Sequence, residues 1–326
     1  MCKAVLLLSA LAVPVCAQRP ELQTDPAFRL RRTVDLVTVD VVVTDARGNY
    51  LGNLKRENFR VLEDGAERPI ANFAASEAPA LVLVLVETGP AVYLIQQQYL
   101  GAARTLLEGL GASDWVGLAA YDQTPRVVRT LTQQKSDVLS SLQMIRYNLG
   151  NSELYFFRSL STALDWLDPI PGRKSLVVLT TGLDTERPRR WEALEEKLRS
   201  CEVVVYPIAL GGSLRSFRKA KHPEMDEGTG LSFAQADRDL KEIARLTGGR
   251  AYFPKRAQDF SGIYRDLSST VRHQYSLGFT PGARDGRFHQ IEVQVLDANG
   301  HVLAPAENSK RGYRIRARQG YVAPKQ

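Results

Sequence analysis

Six consecutive apolar residues, Leu81-Val-Leu-Val-Leu-Val86, constrain this chain more than any other feature. A run rich in valine, with no alternating polar face, reads as a strand buried on both sides. Strands of that kind belong to parallel sheets with helices on both faces. Such folds place ligand chemistry on the loop just past the strand's carboxyl end. Here that loop is Glu87-Thr-Gly-Pro-Ala91: one carboxylate, one hydroxyl, then glycine, proline and alanine. It is the place for a metal site, with most of the ligands missing.

The surroundings agree with a central strand. Further strands are predicted at 115–121, 175–180 and 203–208, with a short extended segment at 127–131. Helices are predicted near 93–110, 135–145, 153–167 and 188–199, and a last one near 234–246 leads to 250–253. Strands separated by helices of this length imply an α/β fold with a doubly wound, mainly parallel sheet. The segment 215–221 is polar and reads as an exposed loop. Before this region, strands at 34–43, 60–63 and 68–73 surround a strong hairpin signal, Asp64-Gly65. After it, 273–279, 288–296 and the arginine-rich 313–318 alternate at period two. Neither β segment is large enough to complete a core alone. The two are therefore expected to pack together as one discontinuous β-sandwich, with the α/β domain inserted between its halves. The expected division is 33–76 for the N-terminal β segment, 79–258 for the α/β domain and 259–326 for the C-terminal β segment.

At 326 residues, with 44% hydrophobic and 24% charged content, the chain suits two globular domains. Lys3, the apolar run from Ala4 to Val15 and the small Ala17 describe a secretory signal peptide at 1–17. A polar, proline-containing leader follows at 18–32. The apolar run is too short for a membrane span, which needs about 20 residues. Lipidation at Cys16 is the alternative, but Val15 is bulky where lipidation signals prefer a small residue. No later segment is long and apolar enough to span, so the mature chain is expected to be soluble and exported, periplasmic or extracellular. Export also leaves one thiol, Cys201, which precedes Val203-Val-Val205 and reads as a packed small residue. The formal net charge of +7 is spread along the chain and carries no nucleic-acid signature.

Taken in order, the pieces resemble a von Willebrand factor A domain with flanking β segments, and in particular the related family of exported Acidobacterial proteins. The resemblance is carried by residues 39–45, Asn58-Phe-Arg-Val-Leu-Glu-Asp-Gly65, Leu179-Thr-Thr-Gly-Leu-Asp184, Leu246-Thr-Gly-Gly-Arg-Ala-Tyr252, Gln274-Tyr-Ser-Leu-Gly-Phe279 and Arg318-Gln-Gly-Tyr321. It implies a metal-ion-dependent adhesion site, in which Asp-x-Ser-x-Ser, a threonine and an aspartate from three loops hold a divalent cation. In this chain the matching positions are Glu87, Gly89, Ala91, Ser152 and Thr181. Two hydroxyl ligands and one carboxylate are gone, and Mg²⁺, with short distances and strict geometry, tolerates displaced ligands badly. The site is therefore expected to be degenerate, with no cofactor. A rescued metal site would need Glu87, Thr88, Ser152 and Asp184 to converge. Otherwise Glu87 and Ser152 are leftover polar groups bonded to loop backbone.

No nucleophile–base motif, zinc-binding spacing or phosphate loop occurs, and the four histidines are far apart, so an enzyme is not expected. Arg187, Arg189 and Arg190 follow the third site loop, and a guanidinium there would capture a partner's carboxylate as a cation does. The other reading of those arginines is a solvated helix start. The expected function is a non-catalytic, protein-binding module for adhesion or scaffolding that uses the top face of the A domain without metal. The alternatives are divalent-cation-dependent adhesion through a rearranged site and a purely structural protein of the envelope.

Overall fold

The computed structural model describes residues 36–75, 79–101, 103–150, 153–221, 233–304 and 312–324. The signal peptide at 1–17 and the leader at 18–32 lie outside the described residues, as does Ser152. Strand β1 (Val37–Asp45) is followed by a single 3₁₀ turn, β2 (Phe59–Glu63), β3 (Ala66–Arg68) and β4 (Ile70–Ala74). Asp64 and Gly65 both have positive φ, 49° and 81°, as the tight turn between β2 and β3 requires. The sequence reads 68–73 as one strand, but there are two. Pro69 has no N–H for a ladder, and the chain changes sheets there: β3 pairs with β2, while β4 pairs elsewhere.

The α/β layer begins with β5 (Ala80–Glu87), all eight residues of which are buried. Next come α1 (Pro90–Tyr93), α2 (Gln96–Leu100) and α3 (Ala103–Gly109), where the sequence suggested one helix. Gly101, a poor helix former, lies between the last two. Then follow β6 (Trp115–Tyr121), β7 (Pro125–Thr132), α4 (Lys135–Gln143), α5 (Phe156–Leu167), β8 (Arg173–Thr180), α6 (Arg187–Ser200), β9 (Val203–Ala209), α7 (Gly211–Lys221), α8 (Phe233–Thr247) and α9 (Ala257–Arg272). The sheet order is β7-β6-β5-β8-β9. Four strands are parallel and β7 runs antiparallel at one edge.

Alternate residues of β5 point to opposite layers. Val82, Val84 and Val86 pack with α1, α2, α3 and α9, and Leu83 and Leu85 pack with α5, α6 and α8. Each such side chain contributes about 1.5–3 kcal/mol when fully buried. Two helices depart from the sequence reading. The supposed loop at 215–221 is the second half of α7, held by buried Leu214 and by Ser213 Oγ donating to the Pro254 carbonyl at 3.0 Å. Residues 259–272, placed in the C-terminal β segment, belong to α9. Its Phe260, Tyr264, Leu267 and Val271 recur at helical spacing and join the core of the α/β layer. The boundary with the C-terminal β segment thus lies near His273.

The chain closes with β10 (Gln274–Phe279), β11 (Phe288–Val295), β12 (Tyr313–Arg316) and β13 (Gly320–Val322); the last strand was not anticipated. One four-stranded sheet has the order β12-β1-β10-β4 and the other β13-β11-β2-β3, so each mixes N- and C-terminal strands. Val39, Val41, Phe59, Val61, Tyr275, Leu277, Ile291 and Val293 share one core between them. This is the discontinuous sandwich, with the α/β layer inserted.

The two parts are wired together where the parallel strands begin. Arg173, buried at the start of β8, donates to the carbonyls of Gln274 at 3.0 Å and Val271 at 3.4 Å. Lys174, also buried, donates to the Asp168 carbonyl at 2.8 Å and lies 3.4 Å from Glu202. From the sandwich side, buried Arg318 reaches the Arg199 carbonyl at 3.3 Å. Among the described residues no helix is long and apolar enough to cross a membrane.

Candidate functional site

Three neighbouring parallel strands, β6, β5 and β8, finish side by side, and Glu87 ends the middle one. Its side chain is fully buried. The Tyr121 hydroxyl, from the end of β6, lies 3.1 Å from Glu87 Oε2. From the end of β8 the Thr180 hydroxyl lies 3.0 Å from it and the Thr181 backbone N–H donates to it at 2.7 Å. The Thr181 hydroxyl lies 2.9 Å from Oε2 and 3.1 Å from Oε1. Tyr121 and Thr180 are also bonded to each other at 2.6 Å, and with one proton each only one of the two hydroxyls donates to Glu87. Burial pushes the Glu87 carboxyl above its usual range, and the donors pull it partly back. Burial together with the Glu87 charge also holds the Tyr121 phenol well above its usual value.

The other proposed ligands have separate tasks. Thr88 Oγ1 donates to the Tyr121 carbonyl at 2.9 Å and accepts from Arg126 Nη2 at 3.3 Å. Asp184 accepts from the Phe157 N–H at 2.7 Å through Oδ2, capping the first turn of α5, and from the Glu186 N–H at 2.7 Å through Oδ1. Burial raises its carboxyl, and the two N–H donors offset this. Leu154 lies over Gly89 so closely that an added Cβ would sit 2.8 Å from its Cδ2. The structure therefore gathers Glu87 and Thr181 but joins neither Thr88 nor Asp184 to them by a direct bond.

This set does not suit a hard divalent cation. Glu87 Oε2 already faces four hydroxyl or N–H groups, both Asp184 oxygens are taken by backbone, and a guanidinium approaches Thr88. Glu87 was expected, if no metal used it, to bond loop backbone. It does so only through Thr181, and the other donors are side chains of adjacent strands.

Of the three arginines singled out in the sequence, Arg190 is about half exposed, with Nε 3.5 Å from Glu186 Oε2. Glu186 is also held by Arg158 at 2.9 Å. The side chains of Arg187 and Arg189 lie outside the described residues, though their backbone begins α6. A different arginine reaches Thr88, the residue after β5. Arg126 is 41% exposed, lies 3.7 Å from Asp122 and donates to the Arg146 carbonyl at 2.9 Å. The signal that could have found it is the short turn at 122–124, which returns the chain antiparallel to β6 at the same edge. Arg146 is exposed and has no ion pair among the described residues.

Beside these arginines are exposed apolar side chains: Tyr93 and Leu94 at the end of α1, and Met144 and Leu149 after α4. The two segments are joined by the Tyr93 and Tyr147 rings, 5.4 Å apart, and by the Asn148 N–H donating to the Thr88 carbonyl at 2.9 Å. Cys201 is buried, and burial pushes its thiol up to about 11, which is no setting for a nucleophile.

No protein-family model matches the chain, and no curated protein matches it either. Similar solved structures include an aerotolerance-related membrane protein from Bacteroides fragilis, at 14% identity and TM-score 0.45, covering 59% of this chain and 98% of that one. The conserved hypothetical protein BatB from Bacteroides thetaiotaomicron is 12% identical with TM-score 0.42, over 59% of this chain and 99% of that one. A von Willebrand factor type A protein from Catenulispora acidiphila is 10% identical with TM-score 0.46, over 91% of this chain and 77% of that one. Scores this low leave the reading of the site to its own geometry.

Proposed function

We propose that this protein is an exported, non-catalytic protein-binding module of the von Willebrand A type that captures its partner at the carboxyl face of the central sheet without a divalent cation. The observation carrying this reading is the surface around the end of β5. There Tyr93, Leu94, Met144 and Leu149 stand exposed beside Arg126 and Arg146, while Glu87 beneath them is fully engaged. Aromatic, methionine and arginine side chains are the types that concentrate binding energy at protein interfaces. A guanidinium at the rim would receive a partner carboxylate in the role the adhesion cation plays elsewhere. Export rests on the signal peptide read at 1–17. The same reading extends membership to the exported Acidobacterial family.

The test is capture of partners from the native secreted fraction by the mature protein, with and without EDTA. The expected result is a partner retained in EDTA and lost in Arg126→Glu and in Leu94→Asp/Met144→Asp. Retention in those variants, or loss in EDTA, refutes the reading. Variants at Arg187, Arg189 and Arg190 changed to glutamate separate the two arginine groups.

A further inference from the structure

A second surface is lined by other residues. Where the end of α8 and the loop 248–253 meet β12, a cleft of about 400 Å³ opens between the α/β layer and the sandwich. Lys241, Arg245, Arg250 and Arg316 line it, and no lining residue is acidic. Two of these cations are held from outside the cleft: Arg245 by Glu242, and Arg250 by Asp266 at 3.0 Å. Lys241 and Arg316 have no ion pair among the described residues. Lys241 Nζ sits 5.2 Å above the Phe253 ring, which gives the cleft an apolar side as well.

The walls are fixed and extended. Gly248 has φ +76°, and an added Cβ there would lie 2.6 Å from the backbone of Ala317 and Arg318, so the loop rests directly on the segment after β12. In its sheet β12 pairs only with β1; away from β1 the Tyr313 N–H donates to the Ala304 carbonyl at 3.1 Å, and no strand covers the rest of that edge among the described residues. Across the cleft, Tyr252 ties the 250–253 segment to β9, its N–H donating to the Pro207 carbonyl and its carbonyl accepting from the Ala209 N–H, both at 2.8 Å. Unpaired extended backbone favours an added strand, and free cations beside it select the charge of that strand.

We propose that this cleft binds an extended acidic segment of a partner polypeptide, whose carboxylates meet Lys241 and Arg316. Side chains on one face of an extended segment recur every second residue, so the favoured ligand carries aspartate or glutamate at alternate positions.

Fluorescence anisotropy of a labelled ten-residue peptide alternating glutamate and serine, titrated with the whole mature protein at low salt, tests this. The expected result is saturable binding, weakened at least tenfold by Lys241→Glu and by Arg316→Glu and unchanged by Arg104→Glu, a charge reversal on the exposed side of α3. If Arg316→Glu lowers the melting temperature, the exposed Lys241→Glu decides. Equal binding of the glutamine–serine peptide overturns the proposal, as does wild-type binding by the Lys241 variant. Occupation of the cleft by inorganic phosphate with no binding of the peptide also overturns it.

Discussion

The central sheet buries a carboxylate where its parallel strands finish and two cations where they begin. At the finishing end, Glu87 is satisfied by hydroxyls and one N–H from strands of its own sheet. At the starting end, Arg173 and Lys174 are satisfied by carbonyls and carboxylates from other elements, including the first residue of the sandwich strand β10. The difference divides the labour. Buried charge at the starting end joins the two parts of the molecule. Buried charge at the finishing end closes on itself, and in the function proposed above the surface over it receives the partner.

The starting end is expected to be the more sensitive. Arg173→Met removes the guanidinium that faces Gln274, Val271 and the field of Asp40, whose carboxyl burial raises and whose partners Ser276, Arg173 and Lys174 pull back. Breaking a buried charge arrangement on one side costs about 3–5 kcal/mol. Urea denaturation measures it, and adding Asp40→Asn is expected to restore part of the loss. A loss below about 1 kcal/mol, the level of an exposed pair, would mean the joint does not depend on this charge.

Glu87→Ala leaves the Tyr121–Thr180 hydroxyl pair and the Thr181 donors without their acceptor, at a cost of about 2–3 kcal/mol. Glu87→Gln keeps an acceptor and is expected to stay within about 1 kcal/mol of the wild type at neutral pH. The pH dependence gives the sign. A carboxyl raised by folding holds its proton longer in the folded state, so wild-type stability falls as pH rises from the unfolded glutamate range to the raised folded value. Denaturation across that range should show the decline in the wild type and a flatter profile in Glu87→Gln. Parallel profiles would mean that folding does not perturb Glu87.

Cys201 lies beside the joint, buried, with Arg318 among the groups acting on its thiol. Native protein at pH 8 is expected to react with iodoacetamide at least tenfold more slowly than unfolded protein, and Arg173→Met is expected to speed the native reaction. The smallest effect should come from an exposed cluster in the sandwich, where His289 lies between Asp64 at 2.6 Å and Asp285 at 3.1 Å. Hydrogen bonds to Asp285 and Asp64 raise the imidazole above its usual value. That stabilisation is complete below the unfolded histidine value and is lost as pH rises through the raised folded one. His289→Gln should remove this small slope and leave the Glu87 profile unchanged.

Much of the architecture was legible because it depends on local pattern. The continuous apolar run at 81–86, the alternation at 288–296 and the Asp64-Gly65 turn each dictate their element. Helix α9 was missed: 259–272 was assigned to the C-terminal β segment although Phe260, Tyr264, Leu267 and Val271 recur at helical spacing. The site was legible only in part. Glu87 and Thr181 stand at strand ends and so could be placed from sequence. Arg126 reaches the end of β5 through the hairpin return at 122–124, the one signal for it in the chain, whereas Leu154 arrives through a long connection whose course no spacing encodes. Asp184 looks like a ligand in sequence because a carboxylate that caps a helix and one that binds metal are the same residue until the backbone is placed.

Isothermal titration of the mature protein with Mg²⁺ and Mn²⁺, beside Glu87→Gln, tests most directly whether the finishing end of the sheet closes on itself. No saturable binding in either protein is the predicted result. A single tight site in the wild type that disappears in Glu87→Gln would contradict it.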